Sequence, residues 1–255
     1  MNINNNSTVS TKYKILYYLA AIGNPFIEKK VDILNHNLNY IHNNINIDFD
    51  IIVNSYELDD NINNLIYNTI KKNTFINEVN IYKLKGVLVE LFKTNPHNAT
   101  IPNYDYILFI LDDIKLINMD ILEMIRIKNK YNIQILSPKI TGSTHPFMTM
   151  YKNITINNFL EVYCLLLNPD DFSIFCSIYT IENKWMWGVD HLFGFYKIRA
   201  GLVNKFIANH EWKKRCYTSD DAEPVMLEYL KKTPFGSLKD IINKYSPIIE
   251  EINDI

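Results

Sequence analysis

Tyr104-Asp105-Tyr106-Ile107-Leu108-Phe109-Ile110-Leu111-Asp112-Asp113 is the most strand-like stretch of the chain. Its run of aromatic and β-branched residues predicts a strand over 104–111, apolar on both faces as in the middle of a parallel sheet. The run stops abruptly at two adjacent carboxylates. In a parallel sheet, ligands bind outside the carboxyl ends of the strands, so Asp112 and Asp113 stand where a ligand would be met. Two neighbouring carboxylates repel each other, and a hard divalent cation relieves that repulsion. From the pair alone, a metal site and a solvated turn before the next helix explain the residues equally.

Outward from this strand, the pattern alternates. Residues 13–22 (YKILYYLAAI) read as a buried strand that ends at Gly23-Asn24-Pro25. Val31, Leu34, Leu38, Ile41 and Ile45 recur at helical spacing and predict an amphipathic helix over 27–44. Residues 49–53 read as a strand ending at Asn54-Ser55. Ile62, Leu65, Ile66 and Ile70 mark a second helix, and 79–84 a third strand. A short helix is expected over 87–92, a longer one over 119–131, and a buried strand over 133–136. Strand–helix alternation of this kind predicts an α/β fold with an open, mostly parallel sheet and helices on both faces.

The later half reads differently. Residues 141–149 (TGSTHPFMT) form a polar loop, 170–178 a helix opened by an Asp cap, and 201–210 an apolar run ending in a histidine. Between them lies Trp185-Met186-Trp187-Gly188-Val189-Asp190. Flat aromatic faces beside a carboxylate suit a sugar ring and its hydroxyls; core packing with Asp190 capping a short helix is the competing explanation. His36 and His42 fall on the polar face of the first helix and carry no expected role. One domain is expected over 12–235, with 1–11 a disordered, Asn-rich lead-in and 236–255 a helical tail.

Composition narrows the function. Of 255 residues, 26 are Lys or Arg and 28 Asp or Glu, a formal net charge of -2, which argues against nucleic acid as partner. Three cysteines, Cys164, Cys176 and Cys216, give no CxxC pair and no disulfide framework. There is no signal-peptide core and no apolar run long enough for a bilayer, so a soluble, cytoplasmic protein is expected. GxGxxG and GxxxxGK[ST] are absent, which removes Rossmann dehydrogenases and P-loop enzymes. The Asn, Ile, Lys and Tyr bias reads as an AT-rich genome, such as that of a large DNA virus or a protist.

Taken together, these segments resemble the GT-A class of glycosyltransferases, whose fold is a single Rossmann-like domain. The first strand ends in a nucleotide loop at Ala21-Ile22-Gly23-Asn24. The middle strand ends at Phe109-Ile110-Leu111-Asp112-Asp113-Ile114 in place of a DxD motif. Trp187-Gly188-Val189-Asp190 follows, then His210. The order is also similar to β-1,4-galactosyltransferases and to a GT-A-related family with a DDDI…WGxD pattern. Leu111 stands where the first Asp of a DDD triplet would, so the strict DxD is absent.

The resemblance implies a transferase that takes a sugar from a nucleoside diphosphate sugar, UDP being the commonest, to a hydroxyl on a glycan, glycoprotein or small acceptor. It implies Mn2+ or Mg2+ held by Asp113 and His210, with Asp112 nearer the ribose or sugar. It places Ala21, Ile22, Gly23, Asn24 and Asn54 against the nucleotide. Trp185, Trp187, Gly188, His191 and His145 fall against substrate, and Asp190 is the general base of an inverting transfer. The rival reading is a non-catalytic module of the same fold that binds nucleotide or glycan. A nucleotidyltransferase ranks third, because Gly23-Asn24-Pro25 lacks the Gly-rich basic loop such enzymes use.

Overall fold

A computed structural model describes residues 12–42, 47–57, 59–83, 101–142, 154–180, 182–183, 185–211, 219–245 and 248–253. The first strand, β1 (Tyr13–Ile22), lies inside the sheet, away from either edge, as its apolar run on both faces requires. Consecutive side chains on a strand point to opposite faces. Tyr17 meets Asn37 of the first helix on one face. Tyr18 stacks on Phe109 and packs against Phe172 on the other. Helices therefore cover both sides, as the near-continuous apolar run requires.

The first helix, α1 (Ile27–Ile41), buries Ile27, Val31, Leu34, Leu38 and Ile41 along one stripe. It leads into β2 (Ile47–Ser55), α2 (Asp60–Lys71) and β3 (Ile76–Lys83). The strand of the opening sequence is β4 (Tyr106–Ile110), paired parallel to β1 with Leu19 opposite Ile110. There follow β5 (Ile114–Asn118), α3 (Ile121–Lys130), β6 (Ile135–Thr141), β7 (Ile154–Asn157), β8 (Cys164–Leu167), α4 (Pro169–Ser177), β9 (Ala200–His210), α5 (Ser219–Lys231), α6 (Leu238–Lys244) and β10 (Ile248–Ile252).

The ten strands of the described residues join one sheet, in the order β10-β7-β9-β6-β8-β4-β1-β2-β3, with β5 alongside β9. Seven of the ten run in the direction of β1, and β5, β7 and β8 run against it. The sheet is thus mostly parallel in direction. The common direction brings the ends of β1, β2, β4 and β9 to one edge. Among the described residues no helix is long and apolar enough to cross a membrane.

Four strands were not foreseen. β5 begins directly after the acid pair, in a stretch expected to be a mere connection. Pairing with β9 and hydrogen bonds with Asn37 of α1 hold it there: Asn37 Nδ2 donates to Ile114 O at 2.7 Å, and Leu116 N donates to Asn37 Oδ1 at 2.8 Å. β7 and β8 are four-residue strands, too short to show a period. The C-terminal segment, expected to be helical over 236–255, holds α6 and then β10, which pairs antiparallel with β7 at the sheet edge. A partner strand far away in sequence, not local propensity, makes it a strand.

Two smaller differences follow from capping. α1 ends at Ile41 rather than at 44. α4 is capped by Asn168, whose side chain accepts from Asp171 N at 2.7 Å, so Asp170 lies inside the first turn rather than at the cap. Pro169, with no N–H to lose, opens that helix. The helix expected over 87–92, the lead-in 1–11 and most of the loop 141–149 lie outside the described residues.

Candidate functional site at the carboxyl edge of the sheet

The loop after β1, where the resemblance expects a nucleotide, is built around Gly23. A Cβ at this position would lie 2.4 Å from the ring of Tyr56, so the ring and the backbone pack in direct contact and only glycine fits. Tyr56 follows β2, and its N–H donates to Ile22 O at 3.1 Å, which extends the β1–β2 pairing past the strand end. Asn24 N donates to the Glu57 carboxylate. Ile22 itself is fully buried, so it gives this loop backbone shape rather than a side chain. Ala21 is half-buried beside it. Asn54 is fully buried on β2, opposite Tyr82 of β3, beneath the loop rather than on it.

Lys30 closes the loop from the first turn of α1. Its ammonium donates to Gly23 O at 2.7 Å and to Tyr56 Oη at 2.8 Å, and it meets Asp112 Oδ2 at 2.9 Å. Asp112 is thus tied to the nucleotide loop. Burial pushes its carboxyl up, to about 7; Lys30 opposes that push and Asp113 adds to it.

Asp113 turns the other way. Leu111 N donates to Tyr163 O at 3.0 Å, and the chain swings at Asp112-Asp113 into β5. The β5–β9 pairing sets Ile114 opposite His210, and Glu211 N donates to Asp113 O at 3.0 Å. His210 Nε2 therefore stands 3.0 Å from Asp113 Oδ2, with the Tyr163 ring 4.8 Å from the imidazole. Asp113 Oδ1 is buried and has no hydrogen-bond partner. A carboxylate with an open oxygen beside an imidazole fits a divalent cation such as Mn2+. Among the described residues no group of three or more His, Cys, Asp or Glu encloses an ion. The other ligand positions would fall to water and to oxygens of a bound phosphate.

The second expected cluster is a tight turn. Met186 and Gly188 both have positive φ, 62° and 78°, and a Cβ on Gly188 would lie 2.9 Å from Met226 of α5. Asn183 Nδ2 donates to Trp187 O at 2.7 Å and fixes the turn from within. A short 3-10 turn, Val189–Leu192, then carries Asp190. Asp190 lies inside this turn, with Gly188 at its cap, rather than capping a short helix over 191–196. Burial first and the charge of Glu161 second raise the Asp190 carboxyl to about 7, against the pull of the N–H groups of Asp190, His191 and Gly188. Asp190 Oδ1 is buried and has no hydrogen-bond partner. Trp185 and Trp187 are half-buried on the same turn, Trp187 against the core. The His191 ring lies 4.0 Å from that of Phe159.

One segment links the two clusters. Residues 158–163 cross from β7 to β8. Asn158 O accepts from Gly194 N at 3.3 Å, Phe159 packs on His191, Glu161 is near enough for its charge to raise the Asp190 carboxyl, and Tyr163 packs on His210. Glu161 and Tyr163 are at most about 7 Å apart along an extended chain. The acid turn and the Asp113–His210 pair are therefore parts of one region. His145 lies outside the described residues and is not placed.

Lys30, Tyr56, Glu161 and Tyr163 were missed. Lys30 had a signal: it sits three residues after Ile27 and four before Leu34, on the buried stripe of α1, where a lysine is out of pattern. Glu161 had one too, as a lone carboxylate between Leu160 and Val162. It is 2% exposed.

Solved structures share this architecture. S. aureus TarS matches with a TM-score of 0.53 at 10% identity, over 91% of this chain and 42% of that one. Residues 1–349 of TarS in complex with UDP match with a TM-score of 0.55 at 13% identity, over 87% of this chain and 66% of that one. The chain thus spans less than two thirds of the length of either. No protein-family model and no curated protein matches it by sequence. The chain shares its α/β fold with these structures, and that fold is of the GT-A type.

Proposed function

We propose that this chain is a metal-dependent glycosyltransferase. It moves a sugar from a nucleoside diphosphate sugar, UDP-sugar being the first choice, to a hydroxyl acceptor with inversion. Asp190 carries the reading. A partly buried carboxylate with a raised pKa, one of whose oxygens is enclosed and has no hydrogen-bond partner, is suited to act as a general base. One solved neighbour of the same fold is in complex with UDP, which supports a nucleotide ligand.

In this reading the donor lies along that edge. Gly23, Asn24 and Tyr56 shape the nucleotide loop, and Asp112 stands between that loop and Asp113. Asp113 and His210 would hold a divalent cation, which would supply Lewis-acid neutralisation of charge on the departing diphosphate. Asp190 takes the proton of the acceptor hydroxyl as that oxygen attacks the anomeric carbon and the bond to the diphosphate breaks. Trp185 and Trp187 offer flat faces to an acceptor sugar, and His191 orients it.

Asp190→Asn tests this. Release of UDP from a UDP-sugar with Mn2+ and acceptor should fall about 10²–10⁴-fold, while thermal stabilisation by UDP and Mn2+ is kept. An Asn variant as active as wild type would remove Asp190 from the mechanism. A wild type that binds UDP and turns over no sugar nucleotide would favour a binding module.

A further inference from the structure

Lys30 has a geometry that a structural pin alone does not need. An ammonium carries three protons, and Lys30 spends them on Gly23 O, Tyr56 Oη and Asp112 Oδ2 at 2.7, 2.8 and 2.9 Å. The side chain is 13% exposed, so these bonds are poorly screened. Two of the partners are neutral and fixed, because Gly23 and Tyr56 are locked against each other by the contact that forbids a Cβ. The third is an anion with another claimant. Asp112 adjoins Asp113, and a cation drawn to Asp113 and His210 is drawn to Asp112 as well.

Charge favours the exchange. Asp112 and Asp113 bring up to two negative charges and Lys30 one positive. A divalent cation leaves the group at about plus one, which attracts the negatively charged diphosphate. A phosphate oxygen can take the proton Lys30 gives to Asp112 while both neutral anchors stay in place. We propose that Lys30 serves two anions in turn, the Asp112 carboxylate and the diphosphate of the nucleotide donor, so that donor binding releases Asp112 to the divalent cation. This rests on the transferase reading above and adds a positioning residue to it. The ammonium is kept at the loop by Gly23 and Tyr56, so it need only tilt to change partner.

The experiment uses UDP and Mn2+ as separate probes, by calorimetry and by electron paramagnetic resonance of free Mn2+. Lys30→Met should weaken UDP about ten- to a hundredfold, the loss of one charge-assisted hydrogen bond. Mn2+ alone should bind about threefold tighter or more, since Asp112 is no longer held by a cation. Lys30→Arg should retain most UDP affinity. Asp112→Asn is the mirror test: it frees Lys30, so UDP without metal should bind tighter. Loss of UDP and Mn2+ affinity together in Lys30→Met would overturn the proposal and leave Lys30 a pin of the loop, as would unchanged UDP affinity. If Lys30→Met does not fold, weaker or equal metal-free UDP binding by Asp112→Asn overturns it alone. A wild-type protein that binds neither probe would instead overturn the transferase reading.

Discussion

Asp190→Asn should make the protein more stable at alkaline pH. The unfolded Asp190 carboxyl loses its proton near 3.8 and the folded one near 7. Below both values each state holds the proton and the group has no effect. Between them the folded state binds more protons than the unfolded state, so stability falls as pH rises; above about 7 the penalty is complete. Three units correspond to a ceiling of about 4 kcal/mol. The asparagine carries no such penalty, and its oxygen can still accept from the N–H groups of Gly188, Asp190 and His191.

By the same linkage the penalty at pH 5 is only about 1.6 kcal/mol. The gap between variant and wild type should therefore widen by about 2 kcal/mol from pH 5 to pH 8. At about 2–4 °C per kcal/mol for a chain of this size, that is roughly 4–8 °C. Differential scanning calorimetry of both proteins across this range reads it directly. A gap in Tm that stays flat with pH, or an asparagine variant less stable at pH 8, would refute the claim that Asp190 is held buried against its charge.

Other outcomes follow from the same geometry. Glu161→Gln should move the rising limb of kcat/KM against pH to below about 7, because a charge that raises the Asp190 pKa is gone; an unmoved limb would separate the two carboxylates. Gly23→Ala forces a Cβ to within 2.4 Å of the Tyr56 ring and should cost about 1–3 kcal/mol in urea unfolding together with UDP affinity. Lys128 and Asp171 pair at 2.7 Å with both residues buried and tie α3 to α4. Asp171→Ala leaves the ammonium alone and should cost about 3–5 kcal/mol. Replacing both by apolar residues should recover most of it, which a double-mutant cycle measures.

The early strands were legible because their cause is local. Residues 13–22 and 104–111 are apolar on both faces, and such runs have one place to go, the middle of a covered sheet. The bounds of β1 fell where the apolar run met Gly23. β5, β7, β8 and β10 were illegible for the opposite reason: each is a strand of four or five residues whose identity comes from its partner. The site divides in the same way. Asp112, Asp113, Asp190 and His210 stood out because carboxylates or an imidazole end or interrupt apolar runs, and the structure brings Asp113 to His210 and ties Asp112 to the nucleotide loop. What sequence could not give is the distribution of partners. That Asp112 belongs to Lys30 and Asp113 to His210 depends on where α1 and β9 lie, 82 and 97 residues away from those carboxylates in sequence.

The measurement that bears most directly on this account is a thermal-shift panel of nucleoside diphosphates, each with and without Mn2+. The account predicts that at least one of them, UDP first, raises Tm substantially only when Mn2+ is present, and that Asp113→Asn or His210→Ala abolishes the metal-dependent part. No metal-dependent shift with any nucleoside diphosphate would contradict it.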